Sequence, residues 1–279
     1  MIIINCKTAN DVSANQFKCY QFEAGWQKNQ KVNDVFYDIY VPPKSDSKLE
    51  CQKAVLVLPG WKFSRSDWPE KSELLKIANQ HQTILIMPEM FTTIYETEYF
   101  NETIMKWNAV AGGQFIRDQF LPALQNKGLL LKGYKNWAIG LSTGGRGVVM
   151  VHLQNPGIFI AGAAFSGDFD QALEPNDNLM RNVYGPYSQF KKRWTGVDNP
   201  VAEIERLKGE NWTMRLYLSH GQNDRVVQPR HSEWLYNVIK KYKGADFPVI
   251  FYLVKSAGHD YKFWNSQLAP AFEFMEQDN

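Results

Sequence analysis

The stretch WAIGLSTGGRGVVM, residues 137–150, places one serine between glycines at the end of a continuously apolar run. Gly140 and Gly144 lie two residues before and two residues after Ser142. The run before Ser142 is typical of a buried strand, and the residues after it are typical of a helix. A turn tight enough to join the two directly needs neighbours without side chains, and it holds the serine in a strained conformation above the sheet. The pattern predicts a nucleophilic serine, although a helix start capped by Ser142 would match the same five residues.

Five further apolar runs resemble the one before Ser142 and alternate with segments of helical spacing. The runs are KAVLVL (53–58), TILIMP (83–88), IAGAAF (160–165), MRLYLS (214–219) and PVIFYL (248–253). The helical segments are EKSELLKIANQ (70–80), IMKWNAVAGGQFIRDQFLPALQ (104–125), PRHSEWLYNVIKKY (229–242) and FWNSQLAPAFEFM (263–275). Continuous apolarity is typical of strands that are covered on both faces. The alternation predicts an α/β fold with a mostly parallel central sheet and helices on both faces.

Two other regions depart from this alternation. Residues 1–52 contain the alternating runs QFKCYQFEA (16–24) and DVFYDIYVPP (34–43), which predict an antiparallel hairpin at a sheet edge. Residues 166–212 are rich in Asn, Asp, Gly, Pro and Tyr and are long for a plain connection, so an insertion or cap-like segment is expected there. We predict that residues 1–279 form a single domain.

Composition narrows the class of protein. The chain has 279 residues, of which 44% are hydrophobic and 22% charged, with a net charge of +2. It has no basic run typical of nucleic-acid binding and no apolar stretch long enough for a membrane span. The three cysteines (Cys6, Cys19 and Cys51) are scattered without metal-site spacing, which favours a cytoplasmic location and a site without metal or organic cofactor. The sequence leaves the oligomeric state open.

Two later runs end in residues that would complete a site around Ser142. Serine is a weak nucleophile unless a base takes its proton and an acid orients that base. Asp224 follows the run MRLYLS, in LYLSHGQNDRVV, and His259 follows the run PVIFYL, in FYLVKSAGHDYKFW. The carboxyl ends of parallel strands lie at one edge of a sheet, where such proteins hold their sites. We predict Ser142 as nucleophile, Asp224 as acid and His259 as base.

Other titratable residues compete for these roles. Asp168, in FSGDFD after the run IAGAAF, remains an alternative acid. Asp260 is disfavoured because it adjoins His259. Structural roles in packing or local hydrogen bonding are expected for His81, His152 and His220, and His231 is expected at a helix start.

An acyl-transfer reaction also needs donors for the oxyanion that forms during attack. One donor is expected to be the backbone N–H of Thr143, the residue after the nucleophile. The second should come from the loop LVLPGWKFSRSDW (56–68), which includes the end of the run KAVLVL and in which Gly60 permits a close turn. We predict the N–H of Trp61, with Lys62 as the alternative, while a simple Pro-Gly turn would also match the loop.

The chain resembles the α/β-hydrolases, and within them the esterase D-like group of S-formylglutathione hydrolases, feruloyl esterases and mycolyltransferases. The matching segments are LPGW (58–61), GLSTGG (140–145), AFSGDFD (164–170), YGPYSQFKKRW (184–194), SHGQNDRVV (219–227) and AGHDYKFWNSQL (257–268). The resemblance covers residues 53–279, most of the chain. The resemblance implies the same roles for Ser142, Asp224 and His259, and it places Trp264 as an aromatic residue near them. The loop departs from the related pattern, because Pro59-Gly60 stands where many hydrolases have His-Gly.

The sequence therefore predicts a serine hydrolase that cleaves a small-molecule carboxylic ester or thioester through an acyl-serine intermediate. An acyltransferase that uses the same three residues is the main alternative, ahead of a serine peptidase or a binding protein without catalysis. Lys62 and three aromatic residues of the insertion are candidates for lining the substrate pocket; the aromatic residues are Tyr184, Tyr187 and Trp194.

Overall fold

The computed structural model describes the backbone of Ile2–Asn5 and Lys18–Gln21 and the complete residues 22–43 and 53–277. Cys6 and Cys51 lie outside these ranges. The strands are β1 (Ile2–Asn5), β2 (Lys18–Gln21), β3 (Gly25–Val32), β4 (Val35–Val41), β5 (Lys53–Leu58), β6 (Thr83–Pro88), β7 (Asn136–Leu141), β8 (Ala161–Phe165), β9 (Arg215–Gly221) and β10 (Val249–Val254). The α-helices are α1 (Asp67–Lys71), α2 (Leu74–Gln80), α3 (Gly112–Phe115), α4 (Leu121–Asn126), α5 (Thr143–Gln154), α6 (Asn178–Tyr184), α7 (Tyr187–Trp194), α8 (Pro200–Arg206), α9 (Arg230–Lys243) and α10 (Tyr261–Glu276).

Eight strands form one sheet in the order β10-β9-β8-β7-β5-β6-β4-β3. The six strands from β5 to β10 are parallel, and they are the six apolar runs of the sequence, shifted by no more than two residues. β3 and β4 add an antiparallel pair at one edge. The predicted fold class is therefore confirmed. Because the six parallel strands run the same way, the loops that follow β5, β7, β9 and β10 all leave the sheet at the carboxyl ends of these strands.

The hairpin at the sheet edge uses a different first strand from the one predicted. β4 is the run DVFYDIYVPP, but its partner is β3, whereas Lys18–Gln21 of the run QFKCYQFEA pairs with Ile2–Asn5 in a separate two-stranded sheet. β3 has the polar sequence GWQKNQKV and is largely exposed, as an edge strand can be. Its alternation is too weak to predict a strand, and its pairing depends on backbone hydrogen bonds.

Helices cover both faces of the sheet, and each face has its own apolar cluster. One cluster includes residues of α4, α5, α8 and α9, and the other includes residues of α1, α2 and α10. The predicted helix over 104–125 is wrong in its first third, because helical structure begins only at Gly112. The N–H groups of Ile104 and Met105 instead donate to the carbonyl of Asn182, which ties this stretch to the insertion. From Gly112 the helix continues through a π-helical turn (Ile116–Phe120) into α4.

The segment 166–212 contains a short 3₁₀ helix at Gln171–Leu173 followed by α6, α7 and α8. Arg146 of α5 is completely buried beneath it and donates to several carbonyl groups. Those acceptors are the carbonyl oxygens of Ile94 and Asp168, each at 3.1 Å, and that of Asp198. Arg146 therefore fastens the insertion to the helix that follows Ser142. Within the described ranges, no helix has the length and apolarity needed to cross a bilayer.

Candidate active site

Ser142 lies in the turn between β7 and α5 with φ 53° and ψ −127°, a strained conformation for a residue other than glycine. Its neighbours need to be glycines, because a Cβ on Gly140 would lie 2.1 Å from the carbonyl oxygen of Gly144. A Cβ on Gly144 would lie 2.3 Å from the carbonyl oxygen of Leu58. The Ser142 N–H donates to the carbonyl of Phe165 at 2.8 Å, which fixes the turn against β8. This is the geometry expected of a nucleophile elbow.

Asp224 and His259 are in direct contact. Nδ1 of His259 lies 2.7 Å from Oδ2 of Asp224, and the backbone N–H groups of Val226 and Val227 each donate to Oδ1 at 2.9 Å. Burial alone would raise the pKa of the Asp224 carboxyl, but the hydrogen bonds from His220 and His259 outweigh it and hold that pKa well below its usual range. An ionised Asp224 keeps the proton of His259 on Nδ1 and leaves Nε2 as the basic nitrogen.

The loops that carry these residues are joined to the elbow by a series of contacts. The N–H of Asn223 donates to the carbonyl of Ala257 at 2.9 Å, which joins the Asp224 and His259 loops. The ring of Trp264 stands edge-on to His259 at 5.0 Å, and its Nε1 donates to the hydroxyl of Ser166 at 3.2 Å. Ser166 directly follows Phe165, which binds the N–H of Ser142. Trp264 thus lies beside His259, as the resemblance implied.

The loop after β5 lies against the elbow. A Cβ on Gly60 would lie 3.1 Å from Cβ of Ser142, so only glycine allows this approach. The Lys62 N–H already donates to the carbonyl of Phe91 at 2.6 Å, which removes Lys62 as an oxyanion donor. Among the described hydrogen bonds, none uses the Trp61 N–H, and Thr143 is the first residue of α5, where an N–H has no partner within the helix. These two N–H groups are therefore available as donors.

Tyr95 supports the loop after β5 through a hydrogen bond from its side chain. It is buried, and its hydroxyl donates to the carbonyl of Pro59 at 2.8 Å. Burial raises the pKa of Tyr95 well above its usual value, so the hydroxyl keeps the proton that it donates. No pattern in the sequence indicates this contact, because Tyr95 lies 36 positions from its acceptor.

A cavity of about 270 Å³ lies beside Ser142. Trp61 and Thr143 line it together with Val226 and Val227, which follow Asp224 in the chain. The insertion supplies the opposite wall with Gln171, Glu174, Asp177, Leu179 and Met180, while Asp168 and His231 complete the lining. The cavity therefore joins the elbow, the first loop and the insertion.

The structure does not bring the three candidate aromatic residues of the insertion to this cavity. Tyr184 and Trp194 are completely buried in a separate apolar cluster, and the Tyr187 ring packs against Trp194 at 5.5 Å. Their polar atoms are engaged there, since the Tyr184 hydroxyl accepts from Arg146 and the Trp194 indole donates to the carbonyl of Gly185. Lys62 is exposed and is not part of the cavity lining. Leu179 and Met180 line the cavity in their place.

The competing residues have other partners. Asp224 rather than Asp168 binds His259, and Asp260 caps α10 by accepting from the N–H of Phe263 at 2.9 Å. Two of the remaining histidines lie at the site, and His220 makes the local hydrogen bonds that were expected of it. His220 approaches Asp224, with 3.3 Å between Nε2 and Oδ2, and His231 lines the cavity. No pattern in the sequence distinguishes them from structural histidines. The residues that the structure describes include no cluster of His, Cys, Asp and Glu side chains able to hold a metal ion.

A parallel sheet with a strained serine after a central strand, and an Asp–His pair on later loops, defines an α/β-hydrolase. The profile of the family described as Putative esterase matches residues 33–275, and the chain belongs to that family. The chain is an esterase-type serine hydrolase, as the sequence predicted.

Individual relatives agree with this assignment. An acetyl esterase of Caldicellulosiruptor saccharolyticus is 26% identical over 274 residues, which cover 90% of this chain and 96% of that protein. Two solved structures have the same fold at lower identity. The fluorophosphonate-binding serine hydrolase FphF of Staphylococcus aureus is 19% identical, with a TM-score of 0.65 over 87% of this chain and 92% of that one. An S-formylglutathione hydrolase from Agrobacterium tumefaciens is 16% identical, with a TM-score of 0.67 over 86% of this chain and 88% of that one. The resemblance to the esterase D-like group is confirmed.

Proposed function

We propose that this chain hydrolyses esters of short acyl chains, with Ser142 as nucleophile, His259 as general base and Asp224 as orienting acid. The observation that carries the proposal is the 2.7 Å contact between His259 and Asp224, on loops that leave the same sheet edge as the strained Ser142 turn. The small cavity beside Ser142 favours a short acyl group, and the related acetyl esterase supports the same substrate class. We also propose a cytoplasmic location, because the three cysteines are scattered along the sequence and fit a reducing compartment.

The reaction has two halves. His259 Nε2 takes the Ser142 hydroxyl proton while Oγ attacks the ester carbonyl carbon, and the N–H groups of Thr143 and Trp61 donate to the resulting oxyanion. The intermediate collapses when the C–O bond to the alcohol breaks and His259 returns the proton to the departing oxygen. Water then attacks the acyl-Ser142 ester, with His259 again taking a proton. The carboxylic acid leaves, and Ser142 recovers its hydroxyl proton.

Hydrolysis of a series of p-nitrophenyl esters, from acetate to dodecanoate with one aromatic acyl ester, tests the proposal. We expect the highest kcat/KM for acetate and a loss of several orders of magnitude in the Ser142→Ala variant. Ser188 is exposed and makes no described hydrogen bond, so Ser188→Ala is a matched control that should keep wild-type rates. An inactive wild type, or an equally active Ser142→Ala variant, would contradict the proposal. Ester products formed from an added alcohol would instead identify an acyltransferase.

A further inference from the structure

Asp168 lies in the cavity beside Ser142 but takes no part in the Asp224–His259 pair. Asp168 follows β8, the strand next to β7, and so lies at the same end of the parallel strands as the nucleophile. A Cβ on Gly145, in the first turn of α5, would lie 3.3 Å from Cα of Gly167. The chain before Asp168 is therefore packed directly against the elbow helix, and the position of Asp168 relative to Ser142 is firmly fixed.

The Oδ1 atom of Asp168 is buried and has no hydrogen-bond partner among the residues that the structure describes. A buried acceptor without a donor is costly, and in a native protein such an atom needs an explanation. Because Asp168 also lines an open cavity, its carboxylate can accept a hydrogen bond from a ligand bound there.

Other polar groups of the cavity wall already have protein partners. Gln171 accepts from Arg146 at 3.0 Å and donates to the carbonyl of Asp198, while Asp177 accepts from the N–H of Met180 at 2.8 Å. Nδ1 of His231 accepts from the N–H of Asp170 at 3.2 Å. Glu174 has a buried Oε1 that makes no hydrogen bond among the described residues, but it lies 3.5 Å from both Nε2 of His231 and Nη2 of Arg230, and either group can pair with it. Asp168 is thus the carboxylate with the clearest free capacity to accept from a ligand.

The charge around Asp168 favours a neutral donor over a cation. The Arg146 guanidinium is completely buried behind it, and Nη1 donates to the Asp168 carbonyl oxygen at 3.1 Å. Burial raises the pKa of the Asp168 carboxyl, while the positive charge of Arg146 acts in the opposite direction. Since Arg146 already places a positive charge near this carboxylate, a hydroxyl group matches this position better than an ammonium group.

We infer that Asp168 is a specificity-determining residue that accepts a hydrogen bond from a substrate hydroxyl, so that the preferred substrates are short esters with a free hydroxyl group near the ester carbonyl. This inference rests on the function proposed above. The hydroxyl can belong to the alcohol portion, as in a glycerol ester, or to the acyl portion, as in a 2-hydroxy acid ester. In both cases the hydroxyl donates to Asp168 while the carbonyl carbon lies at Ser142.

The test compares matched esters with and without the hydroxyl group. Glycerol monoacetate against propyl acetate probes the alcohol portion, ethyl lactate against ethyl propionate probes the acyl portion, and acetylcholine probes a cationic substrate. In at least one hydroxyl pair, we expect the wild type to favour the hydroxylated ester by about 10- to 100-fold in kcat/KM. Asp168→Ala should remove most of that ratio, and Asp168→Asn, which keeps one acceptor oxygen, should retain part of it. Asp246 is exposed and makes no described contact, so Asp246→Ala should keep the wild-type ratio.

Three outcomes would overturn the inference: no preference for either hydroxylated ester in the wild type, a preference that survives in Asp168→Ala, or a preference for acetylcholine over both. Each ratio is measured within one variant beside its thermal unfolding, so a general loss of activity does not mimic a loss of specificity. Asp168→Asn keeps the side-chain shape and provides the comparison if Asp168→Ala unfolds. Hydrolysis of p-nitrophenyl acetate separates the two proposals, because a wild type that cleaves it without any hydroxyl preference contradicts only the inference about Asp168.

Discussion

Nε2 of His220 lies 3.3 Å from Oδ2 of Asp224, the oxygen that His259 contacts from the other side at 2.7 Å. His220 is completely buried, and its Nε2 also lies 2.9 Å from the carbonyl oxygen of Val227. Because both of these neighbours are acceptors, Nε2 carries the proton and donates to them. Nδ1 lies 2.7 Å from the Ser232 hydroxyl and accepts from it. His220 therefore holds the orienting carboxylate in place.

Substitution of His220 should separate this positioning role from simple packing. His220→Asn removes the donor near Asp224, and we expect kcat/KM for p-nitrophenyl acetate to fall by about 10- to 100-fold. The acid limb of the pH–rate profile should move to higher pH, because a carboxylate without this donor attracts the His259 proton more strongly. His220→Gln places an amide donor near the original Nε2 and should restore much of the activity and the profile. Equal losses in both variants, with an unchanged profile, would leave His220 with a packing role only.

Gly60 should be essential for the loop that carries Trp61, the proposed second oxyanion donor. A Cβ at this position would lie 2.7 Å from Cδ1 of Leu141 and 3.1 Å from Cβ of Ser142, so alanine fits only if the Leu141 side chain or the loop shifts. We expect Gly60→Ala to lower kcat by about 100-fold with a smaller change in KM, because the Trp61 N–H would move from the oxyanion. Steady-state kinetics with p-nitrophenyl acetate measures both constants. A wild-type kcat in this variant would exclude the loop from catalysis.

Arg146 should stabilise the insertion. Arg146→Met leaves the carbonyl groups of Ile94 and Asp168 without their donor, and the carbonyl of Asp198 keeps only the weaker bond from Gln171. We expect the free energy of unfolding to fall by about 3 kcal/mol or more, and protease cleavage within residues 166–212 to become faster. Urea denaturation and limited proteolysis measure the two effects. Arg181 of α6 is exposed, so Arg181→Met is the control, and similar losses in both variants would argue against a special role for Arg146.

His152 should make the protein sensitive to acid. It is completely buried beside Trp212, and burial lowers the pKa of His152 from 6.5 to about 4. The folded state thus binds this proton more weakly than the unfolded state does. The resulting stability is fully present above pH 6.5 and is lost as the pH falls toward 4, which corresponds to about 3 kcal/mol.

His152→Gln removes the titrating group, and its amide oxygen can still accept the Thr213 N–H that His152 Nε2 accepts at 3.3 Å. We expect the free energy of unfolding of this variant to fall less steeply between pH 6.5 and 4 than that of the wild type. Urea denaturation across this range provides the comparison. Parallel curves for the two proteins would show that His152 does not carry the acid sensitivity.

The sequence predicted most of the fold because the parallel strands are continuous apolar runs. Most of them, such as NWAIGL, are buried, whereas the edge strand β10 is partly exposed. Ser142, Asp224 and His259 could be proposed from the sequence because each follows such a run. β3 was missed because an exposed edge strand has little apolar pattern, and its pairing depends on backbone groups that every residue carries. Arg146 was missed because its partners lie up to 52 residues away in the chain, and only the folded structure brings them together.

The pocket predictions failed for a related reason. Aromatic residues such as Trp194 serve equally well in a core, and composition does not distinguish the two positions. The structure buries Trp194 beneath the insertion and leaves smaller side chains, such as Leu179, to line the cavity. Specificity is therefore the part of the function that the sequence pattern predicts least.

The most direct test of the central claim is covalent labelling of the folded protein with a fluorophosphonate probe, followed by peptide mapping. Phosphonylation forms a bond from the serine Oγ to phosphorus and expels fluoride, so it reports an activated serine hydroxyl. We expect a single adduct on Ser142, which is absent in Ser142→Ala, much slower in His259→Ala and unchanged in Ser188→Ala. Labelling of a different serine, or no labelling of correctly folded wild-type protein, would contradict the assignment of Ser142 as the nucleophile.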